Sequence, residues 1–544
     1  MDIQNLKRRR FLQAALGSAC FYGLSGLSPL SQPSFSMAAP LNKRLLLNLF
    51  MDGGPDMRHL VVPAFDSTEG SLGAKYWQHR ARSHSLAAAG QTAQQRWNDD
   101  YEHFTVAGAG WPSGLVDIDG LNAGVTFGIW KEASWLIDMF RAGHVAMVFN
   151  AVGGQDRAHD LSTLILNQGN VLSGLNDQNR SGWGGRLARS ALGNAISVAR
   201  TPSPFLFGPA GVAPSYNNNA VDNTDLISVA DSRELGLADF DVTENQFYNY
   251  DQKLMRAGKT YYASLRSKPG FNHRLEKFLQ HEEKTRLFGQ LIQGRLESVP
   301  IPNNILGLYD EAAGLNLDPA NANEARRVLH RGSFGEQIRN AFDVIASNDL
   351  LNPTVLSMEY GGWDSHGDQR EVPGILATDP NNPDVDRGIE HGLRDIFGGQ
   401  FGSSPNNAAA LHYGFSALWN NLSSVDRNNI VVTVAGEFGR QIRDNGNAGT
   451  DHGKGNLMLV ISERCNGGIY GQFSQADELA KYDQPPNRTP DITPRTEIDH
   501  LFSAVSEWVQ PGSSTAVFPR TANAYSGEAP IIESAGMFDS LMVD

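Results

Sequence analysis

Short apolar runs that alternate with amphipathic helical stretches are the feature that most constrains the fold of this chain. The runs are LLLNLF (45–50), HVAMVFNAV (144–152), PTVLSMEY (353–360), NNIVVTVAG (428–436) and NLMLVIS (456–462). Each is bounded by glycine or polar residues, as buried strands are. Helical stretches such as SFGEQIRNAFDVIAS (333–347) and TEIDHLFSAVSEWV (496–509) lie between or after them. The alternation predicts an α/β fold with a mostly parallel central sheet and helices on both faces.

The middle of the chain breaks this alternation. Residues 170–319 contain polar and proline-rich segments such as GPAGVAPSYNNNAVDNTD (208–225), followed by the helical HRLEKFLQHEEKTRLFGQLIQGRLESV (273–299). Such composition is typical of loops and of helices that lie outside a central sheet. We therefore predict a largely helical or irregular insertion or cap over 170–319, and an α/β metal-binding core formed by 39–169 and 320–544.

The first 38 residues have the features of an export signal. A basic cluster is followed by an apolar stretch rich in alanine and glycine and by small residues at 36–38. The sequence RRRFL at 8–12 also fits the twin-arginine pattern, which addresses proteins to the bacterial translocation machinery for folded chains. The prediction is a periplasmic or secreted protein. An ordinary secretory signal, an uncleaved anchor and lipidation at Cys20 stay open as alternatives.

Composition excludes several partners and cofactors. The formal net charge is −14, and an acidic surface repels phosphate backbones, so we expect no nucleic-acid partner. No run of 18 apolar residues follows the N-terminal segment, so no transmembrane span is expected after signal cleavage. Cys20 leaves with the signal, and Cys465 then has no cysteine with which to form an intramolecular disulfide. A flavin or nicotinamide enzyme is discounted because the sequence has no strand–GxGxxG–helix unit.

Acids and histidines concentrate in four loops that follow predicted strands. Because the carboxyl ends of parallel strands share one edge of a sheet, these distant loops can meet there. Carboxylates mixed with imidazoles suit one or two divalent ions such as Zn²⁺, Mn²⁺, Ca²⁺ or Mg²⁺, which would also offset the repulsion among buried acids. The predicted metal ligands are Asp52, Asp56, Asp364, His366, Glu437, Asp451 and His452.

The sequence leaves two choices open among the aspartates. Asp364 and His366 are two residues apart, which points both side chains the same way in an extended segment. An aspartate in a glycine-rich turn can also serve turn formation alone. Asp52 and Asp56 flank the same double-glycine turn, and the sequence does not decide which of them is the ligand.

The remaining candidates also have structural alternatives. Asp451 either binds the ion or orients His452 by accepting a hydrogen bond. Glu437 ends a buried strand and either binds the ion or pairs with Arg440. His159 either takes part in the site or caps the helix that follows it.

Six segments together resemble a family of exported bacterial proteins known as domain of unknown function 1501. That family in turn resembles the alkaline phosphatase and sulfatase superfamily. The segments are LFMDGGPDMRHLVVP (49–63), AGHVAMVFNAVGGQDRAHD (142–160), FGEQIRNAFDVIAS (334–347), YGGWDSHGDQ (360–369), IVVTVAGEFGRQIRDNGNAGTDHGKGN (430–456) and GGIYGQF (467–473). The resemblance implies an alkaline-phosphatase-like fold and a metal site that acts on phosphate or sulfate esters.

The superfamily pattern also implies roles for single positions. Its nucleophile, a serine or threonine that opens a helix, falls in the region of Ala158, beside His159 and Asp160, the predicted catalytic residues of that loop. Arg440, or alternatively Arg157, would hold the oxygens of a small anionic substrate in a bidentate grip. The metal positions fall on Asp52 or Asp56, Asp364, His366, Glu437 and His452.

This chain departs from the pattern at two places. Glu437-Phe438 stands where the superfamily commonly has Asp-His, which puts one of two metal sites in doubt. Ala158 stands where many family members have serine, and a methyl group cannot attack phosphorus or sulfur. The first hypothesis is therefore a metal-dependent hydrolase that uses Ser162, Thr163 or an ion-activated water. The alternative is a catalytically silent exported protein of the same fold with a structural, surface or assembly role.

Overall fold

The computed structural model describes a defined part of the chain. The described residues are 41, 43–105, 124–152, 157–169, 181–199, 201–208, 226–229, 232, 260–261, 264, 295–296, 299–306, 308, 332–367, 369–370, 388–403, 410–473, 476–484, 491–492, 494, 496–518 and 537–543. The predicted signal segment 1–38 and most of the predicted insertion 170–319 lie outside these residues.

The strands of the described residues alternate with helices along much of the chain. The strands are β1 (Leu45–Met51), β2 (Val61–Pro63), β3 (Tyr101–Thr105), β4 (Thr126–Trp130), β5 (Val145–Val152), β6 (Asn194–Ser197), β7 (Leu226–Ser228), β8 (Pro353–Tyr360), β9 (Gln400–Ser403), β10 (Ala410–His412), β11 (Ile430–Gly436), β12 (Gly439–Arg440), β13 (His452–Gly453), β14 (Gly455–Ile461), β15 (Gly468–Tyr470) and β16 (Thr496–Glu497).

The helices of the described residues range from about one turn to about four turns. They are α1 (Leu72–His79), α2 (Ala93–Asp100), α3 (Ser134–Arg141), α4 (His159–Gln168), α5 (Trp183–Ser190), α6 (Asn303–Leu306), α7 (Gly332–Ala346), α8 (Asn348–Leu351), α9 (Gly388–Phe397), α10 (Gly414–Asn421), α11 (Ser424–Asn428), α12 (Ala476–Lys481), α13 (Ile498–Val509) and α14 (Ser514–Val517). A short 3-10 helix covers Pro204–Leu206. Within the described residues, none of the helices has the length and apolar character needed to cross a membrane.

The main sheet has the strand order β15-β5-β14-β11-β1-β8-β6-β7, and β16 also pairs with β5. β1 is parallel to both β11 and β8. The pairs β6–β8, β6–β7, β15–β5 and β16–β5 are parallel as well. β14 is antiparallel to its neighbours β11 and β5. The prediction of a mixed α/β fold with a largely parallel central sheet is confirmed.

Successive residues of β1 pack into two hydrophobic cores, one on each face of the sheet. Leu45, Leu47 and Leu49 contribute to the core that also contains buried residues of α3, α7, α9 and α10. Leu46 and Phe50 contribute to the core formed with α4, α5 and α13. This alternation is the two-residue period of a strand. It explains why the central strand is apolar along nearly its whole length: neither face meets water.

The described part of 170–319 reaches into this sheet. β6 pairs with β8, and β7 forms the outer strand beside β6. Helix α5 packs its buried Trp183 and Leu187 into the core on one face. These segments are therefore part of the α/β core and not of a separate cap, so an insertion cannot begin at residue 170. The rest of the predicted domain division stays a prediction.

A smaller antiparallel sheet in the order β2-β4-β3 lies near the N-terminal part of the core. It is flanked by α1 and α2, and α2 begins with a capping box between Thr92 and Gln95. Pairing of β12 with β13 closes the glycine-rich segment that follows β11. This pairing brings His452 back to the end of β11.

The direction of the strands decides where their loops leave the sheet. β11, β1 and β8 are adjacent and parallel. β5 runs in the same direction as β11, because β14 between them is antiparallel to both. The segments that follow β1, β5, β8 and β11 therefore all leave at one edge, as the sequence predicts for the candidate loops.

Candidate metal centre

Five candidate side chains meet at this edge of the sheet, each placed by the end of a strand or helix. His159 is the first residue of α4, which follows β5. Asp364 and His366 follow β8. Glu437 follows β11 directly, and His452 begins β13. Residues separated by almost 300 positions in the sequence therefore share one site.

Two glycines allow the loops after β1, β8 and β11 to approach one another closely. Gly53 and Gly54 both have positive φ, at 118° and 65°, which disfavours other residues. A Cβ atom on Gly53 would overlap the backbone at Trp363 and Asp364, and one on Gly54 would overlap the ring of Phe438. The double glycine therefore sets the spacing of the loops that carry the candidate ligands.

Three polar atoms form a tight triangle at the centre of the site. Nε2 of His452 lies 2.8 Å from Oδ1 of Asp364 and 3.0 Å from Nε2 of His366. Nε2 of His366 lies 3.0 Å from the same Oδ1 of Asp364. Nε2 of His159 is 3.5 Å from the other carboxylate oxygen, Oδ2. His159, Asp364 and His452 thus bring one potential ligand atom each within 4.8 Å of one another, and His366 adjoins the last two.

The opposite nitrogen of each imidazole has an acceptor of its own. An acceptor at Nδ1 requires that Nδ1 carries the proton, which leaves Nε2 of a neutral ring with a free lone pair. The Nδ1···O distances are 2.9 Å from His452 to the carbonyl of Arg157, 3.1 Å from His366 to Asp451 and 2.8 Å from His159 to Glu437.

Two ring nitrogens and a carboxylate oxygen at these distances need positive charge between them, which is supplied either by a proton on Nε2 or by an ion that neutral rings bind. Zn–N bonds of about 2.0–2.1 Å at tetrahedral angles separate neighbouring ligand atoms by about 3.3 Å, close to the observed 2.8–3.5 Å. Partial burial lowers the pKa of His452, which favours the neutral ring that a metal ligand requires. The donor set therefore fits a divalent transition-metal ion.

Glu437 lies behind His159 and not at the centre of the triangle. Its side chain is fully buried, and its Oε1 accepts hydrogen bonds from Nδ1 of His159 and from the backbone N–H of Gly53 at 2.9 Å. Burial raises the pKa of Glu437, and these hydrogen bonds offset part of that effect. Its Oε2 is buried without a hydrogen-bond partner among the described residues. In this arrangement Glu437 orients His159, in contrast to the predicted role as ligand.

Asp451 holds a corresponding place behind His366. Its Oδ1 accepts from Nδ1 of His366 and from the amide of Asn445 at 3.2 Å. The amide of Asn445 also donates to the carbonyl of His366. Of the two roles that the sequence left open for Asp451, the geometry favours the orienting one. Asn445 was not predicted, because nothing in its local sequence marks it.

Arg440 fixes Asp364 and the surrounding backbone. Its guanidinium donates to the carbonyls of Gly53, Gly54 and Trp363, and to Oδ1 of Asp364 at 2.9 Å. Partial burial raises the pKa of Asp364, but hydrogen bonds from His452 and Arg440 and the charge of Arg440 outweigh it and bring the pKa to about 2. Arg440 is buried, so these contacts do not support the predicted grip on a substrate, which stays a prediction. Its bonds hold the protein's own loops.

Asp56 has partners other than the candidate metal ligands, and its predicted role as a ligand has no support in these contacts. Its carboxylate is buried and accepts hydrogen bonds from Arg80 at 3.1 Å and from the hydroxyl of Thr450 at 3.0 Å. Arg80 also donates to the carbonyls of Gln441 and Ile442. Burial raises the pKa of Asp56, but the charge and hydrogen bonds of Arg80 outweigh it and hold the pKa below its ordinary value. The pair ties the glycine-rich segment to the N-terminal part of the core.

Asp52 and Asp160 lie at the periphery of the centre. The backbone of Asp52 bonds to Tyr360 and Trp363, and the charge of its half-buried carboxylate raises the pKa of Glu437. Asp160 is exposed in the first turn of α4, where its Oδ1 accepts from the backbone of Leu161. A carboxylate there stabilises the helix N-terminus, so the predicted catalytic role of Asp160 has no support in these contacts.

Ala158 occupies the N-cap position of α4, with φ −88° and ψ 126°. A serine or threonine hydroxyl at this position would accept from the first turn of the helix and face the site, whereas alanine offers neither function. Ser162, one turn further on, is fully buried in α4, so the predicted use of its hydroxyl is not supported. The N-cap position of α4 therefore carries no hydroxyl, and Thr163, which is half-buried in the same helix, stays a predicted alternative.

A second histidine cluster lies away from this edge. His59, His84 and Glu390 are buried and bring one potential ligand atom each within 4.8 Å of one another. Glu390, however, forms an ion pair with buried Arg96, and Arg370 lies 4.0 Å from its other oxygen. Arginine already neutralises this carboxylate, which makes the cluster unfavourable for a cation.

Comparison with known families supports part of the predicted resemblance. Residues 389–493 match the family described as "Protein of unknown function (DUF1501)". The matched range includes Glu437, Arg440, Asp451 and His452 of the centre. Comparisons with curated proteins and with solved structures gave no match.

The Asp56–Arg80 pair generates a stability prediction. Asp56→Asn leaves a buried guanidinium without its counterion, and we expect the free energy of unfolding at pH 7 to fall by about 3 kcal/mol. Because the folded-state pKa of Asp56 is lowered, the stabilisation is present above the unfolded-state value of 3.8 and is lost as the pH falls below it. The deficit of the variant should therefore shrink below about pH 4 in denaturant titrations.

The matched control is the exposed pair of Arg141 and Glu102. Glu102→Gln should change the free energy of unfolding by about 0–1 kcal/mol at either pH. Equal effects of the two substitutions at pH 7 would show that the Asp56 pair has no special structural role.

The N-cap position of α4 generates a second prediction. Ala158→Ser places a hydroxyl acceptor at the start of the helix and should raise the free energy of unfolding by about 1 kcal/mol. Ala158→Val, which fits the same extended backbone but offers no acceptor, serves as the control. A thermal melt in which serine is no more stabilising than valine would contradict this position for the helix start.

Proposed function

We propose that this chain is an exported, metal-dependent hydrolase that acts on phosphate or sulfate esters. The observation that carries the proposal is the triangle of His366 Nε2, His452 Nε2 and Asp364 Oδ1, with sides of 2.8–3.0 Å. Each imidazole already donates its Nδ1 proton to another acceptor. A bound cation is the simplest way to make such an arrangement stable.

The donor set supports a particular class of ion. Three imidazoles and one carboxylate suit Zn²⁺ and related transition metals. Ca²⁺ and Mg²⁺ prefer oxygen ligands, and the geometry gives them one carboxylate. When bound, such an ion polarises an ester oxygen and lowers the pKa of water, which supplies a nucleophile near neutral pH.

The surrounding residues would hold the ligands in place. Arg440 fixes the orientation of the Asp364 carboxylate, and Glu437 and Asp451 fix the rings of His159 and His366. Metal-binding histidines commonly donate their second ring proton in this way. Three such contacts around one centre support a site built for an ion over a chance group of histidines.

The geometry supports one ion instead of two. Phe438 is buried beside Glu437, and its ring centroid lies 4.5 Å from that of His452 and 4.8 Å from that of His159. An aromatic ring offers no ligand and excludes water from the space next to Glu437. A second ion near Asp52 and Glu437 would therefore lack an imidazole ligand.

A water nucleophile fits the rest of the site. Ala158 provides no hydroxyl at the start of α4, and the hydrolysis would therefore proceed without a covalent intermediate on that residue. Arg157 is partly exposed beside His452, and its Nη1, which forms neither of its two hydrogen bonds to Asp491, is proposed to contact an anionic substrate. The proposed likeness to alkaline phosphatases and sulfatases rests on the ligand-bearing loops at the carboxyl ends of parallel strands.

The proposal includes export through the twin-arginine route, with cleavage after Ala38. Leu41, three residues further on, is buried, and its N–H donates to Asp426 while its carbonyl accepts from Asn429. Cleavage at this position would leave these contacts intact. The mature protein would then be periplasmic or secreted.

Ala158 also favours a second candidate function. A chain that has lost a side-chain nucleophile can keep the fold and a structural ion while acting in assembly or at a surface. The two functions make the same prediction for metal content and opposite predictions for turnover. An activity screen therefore separates them.

Metal content gives the first test of the centre. His366→Ala and His452→Ala each remove one ligand, so the purified variants should retain far less zinc than the wild-type protein in elemental analysis after dialysis. His144→Ala, which changes a half-buried histidine after α3, is the control and should leave the zinc content unchanged. Full zinc content in both ligand variants would refute the proposed centre.

Turnover gives the second test. The mature protein loaded with Zn²⁺ or Mn²⁺ should hydrolyse aryl phosphates or aryl sulfates, and Asp364→Asn should abolish this activity because it weakens the hold on the ion. Ca²⁺ should not replace the transition metal. A protein that binds zinc stoichiometrically but turns over neither substrate class would favour the silent alternative.

A further inference from the structure

Asp491 lies where two ligand-bearing segments of the proposed metal centre meet. Its Oδ2 accepts hydrogen bonds from Nε and Nη2 of Arg157, at 3.1 and 2.5 Å. Its Oδ1 accepts from the backbone N–H of Lys454 at 3.0 Å. One carboxylate thus joins the segment that precedes α4 to the segment that follows β13.

Both joined segments carry groups of the centre. The carbonyl of Arg157 accepts the Nδ1 proton of His452, and His159 begins α4 two residues after Arg157. Lys454 is two residues after His452 in the chain. Any movement of Arg157 relative to Lys454 would therefore change both the acceptor of His452 and the start of the helix that carries His159.

The close approach of Asp491 depends on a missing side chain. A Cβ atom on Gly453 would lie 2.9 Å from Oδ1 of Asp491, so glycine there lets the carboxylate reach the backbone of β13. The carbonyl of Asp491 in turn accepts from Nζ of Lys481 at 2.7 Å. Asp491 is thereby held by α12, on a segment outside the main sheet.

We infer that Asp491 is a positioning residue of the metal centre. Its carboxylate locks Arg157 against the 453–454 backbone, so that His452 keeps its Nδ1 acceptor and both His452 and His159 present Nε2 to Asp364. Asp491 acts through Arg157 and does not itself contact the ion. The inference rests on the proposed function, because it assigns a task to Asp491 only if the histidines bind an ion.

A plain surface ion pair would make the same two arginine contacts and nothing more. Such pairs contribute little and do not influence a distant site. The contact of Oδ1 with the backbone of Lys454 and the carbonyl bond from Arg157 to His452 form instead a continuous path from Asp491 to a ligand. Removal of partners that orient metal ligands costs about 10–100-fold in metal affinity.

Zinc affinity of the full mature chain, measured by competition with a chromogenic chelator, tests the inference. Asp491→Asn should weaken zinc binding about tenfold, the lower end of the range for orienting partners. Asp491→Glu, which keeps the charge, should restore much of the affinity. Arg157→Ala should weaken binding to a similar degree, and the double variant should be no weaker than either single variant, since both changes break one path.

The matched control is the pair of Arg427 and Glu463, which has similar exposure and lies at the opposite end of β11. Glu463→Gln should leave the zinc affinity unchanged. Equal zinc affinity of Asp491→Asn and the wild-type protein would overturn the inference, whatever the effect on thermal stability.

A second readout does not depend on bound metal. In ¹⁵N spectra of the histidine rings of the metal-free protein, His452 should be the Nδ1–H tautomer in the wild type and a mixture of tautomers in Asp491→Asn. An unchanged tautomer in the variant would overturn the role of Asp491. A wild-type protein that shows the expected tautomer but binds no zinc would instead refute the proposed centre, so the two failures are distinguishable.

Discussion

Acceptor atoms that face one another across about 3 Å need positive charge between them. This requirement governs how side chains are arranged at the edge of the sheet that carries the candidate metal centre. His366, His452 and Asp364 form such a group, with sides of 2.8–3.0 Å. Arg440 supplies one positive charge to Asp364 from behind. The hydrogen bonds of Arg440 go to Asp364 and to backbone carbonyls, so the positive charge between the two imidazoles comes from a proton on Nε2 or from an ion.

Two buried acids elsewhere in the described residues are neutralised by arginine. Asp56 is paired with Arg80, and Glu390 with Arg96. A guanidinium presents several donors in a fixed plane and fills the space next to a carboxylate. The candidate metal centre differs. Arg440 contacts Asp364 from one side, and imidazoles contact the exposed part of its carboxylate. The contrast separates carboxylates that are neutralised within the fold from one whose exposed side faces imidazoles.

Much of the fold could be predicted from the sequence, because hydrophobic runs depend on local composition. β1, β8, β11 and β14 lie where continuous apolar segments predict them, and their parallel order places the candidate loops at one edge. The roles of single side chains could not be predicted in the same way. Whether Asp56 meets Arg80 depends on contacts between distant segments. The strands β6 and β7 within 170–319 were not predicted for a related reason: they are short strands in a polar context.

The spread of the ligands along the chain also constrains when an ion can bind. His159 and His452 come together only when β5, β14 and β11 are paired and β13 has returned to β12. An unfolded or partly folded chain therefore has no site with several ligands, and metal affinity is coupled to completed folding. If the chain leaves the cell folded, as the proposed twin-arginine route requires, the centre can be filled before export. The ion would then be chosen by supply in the compartment of folding.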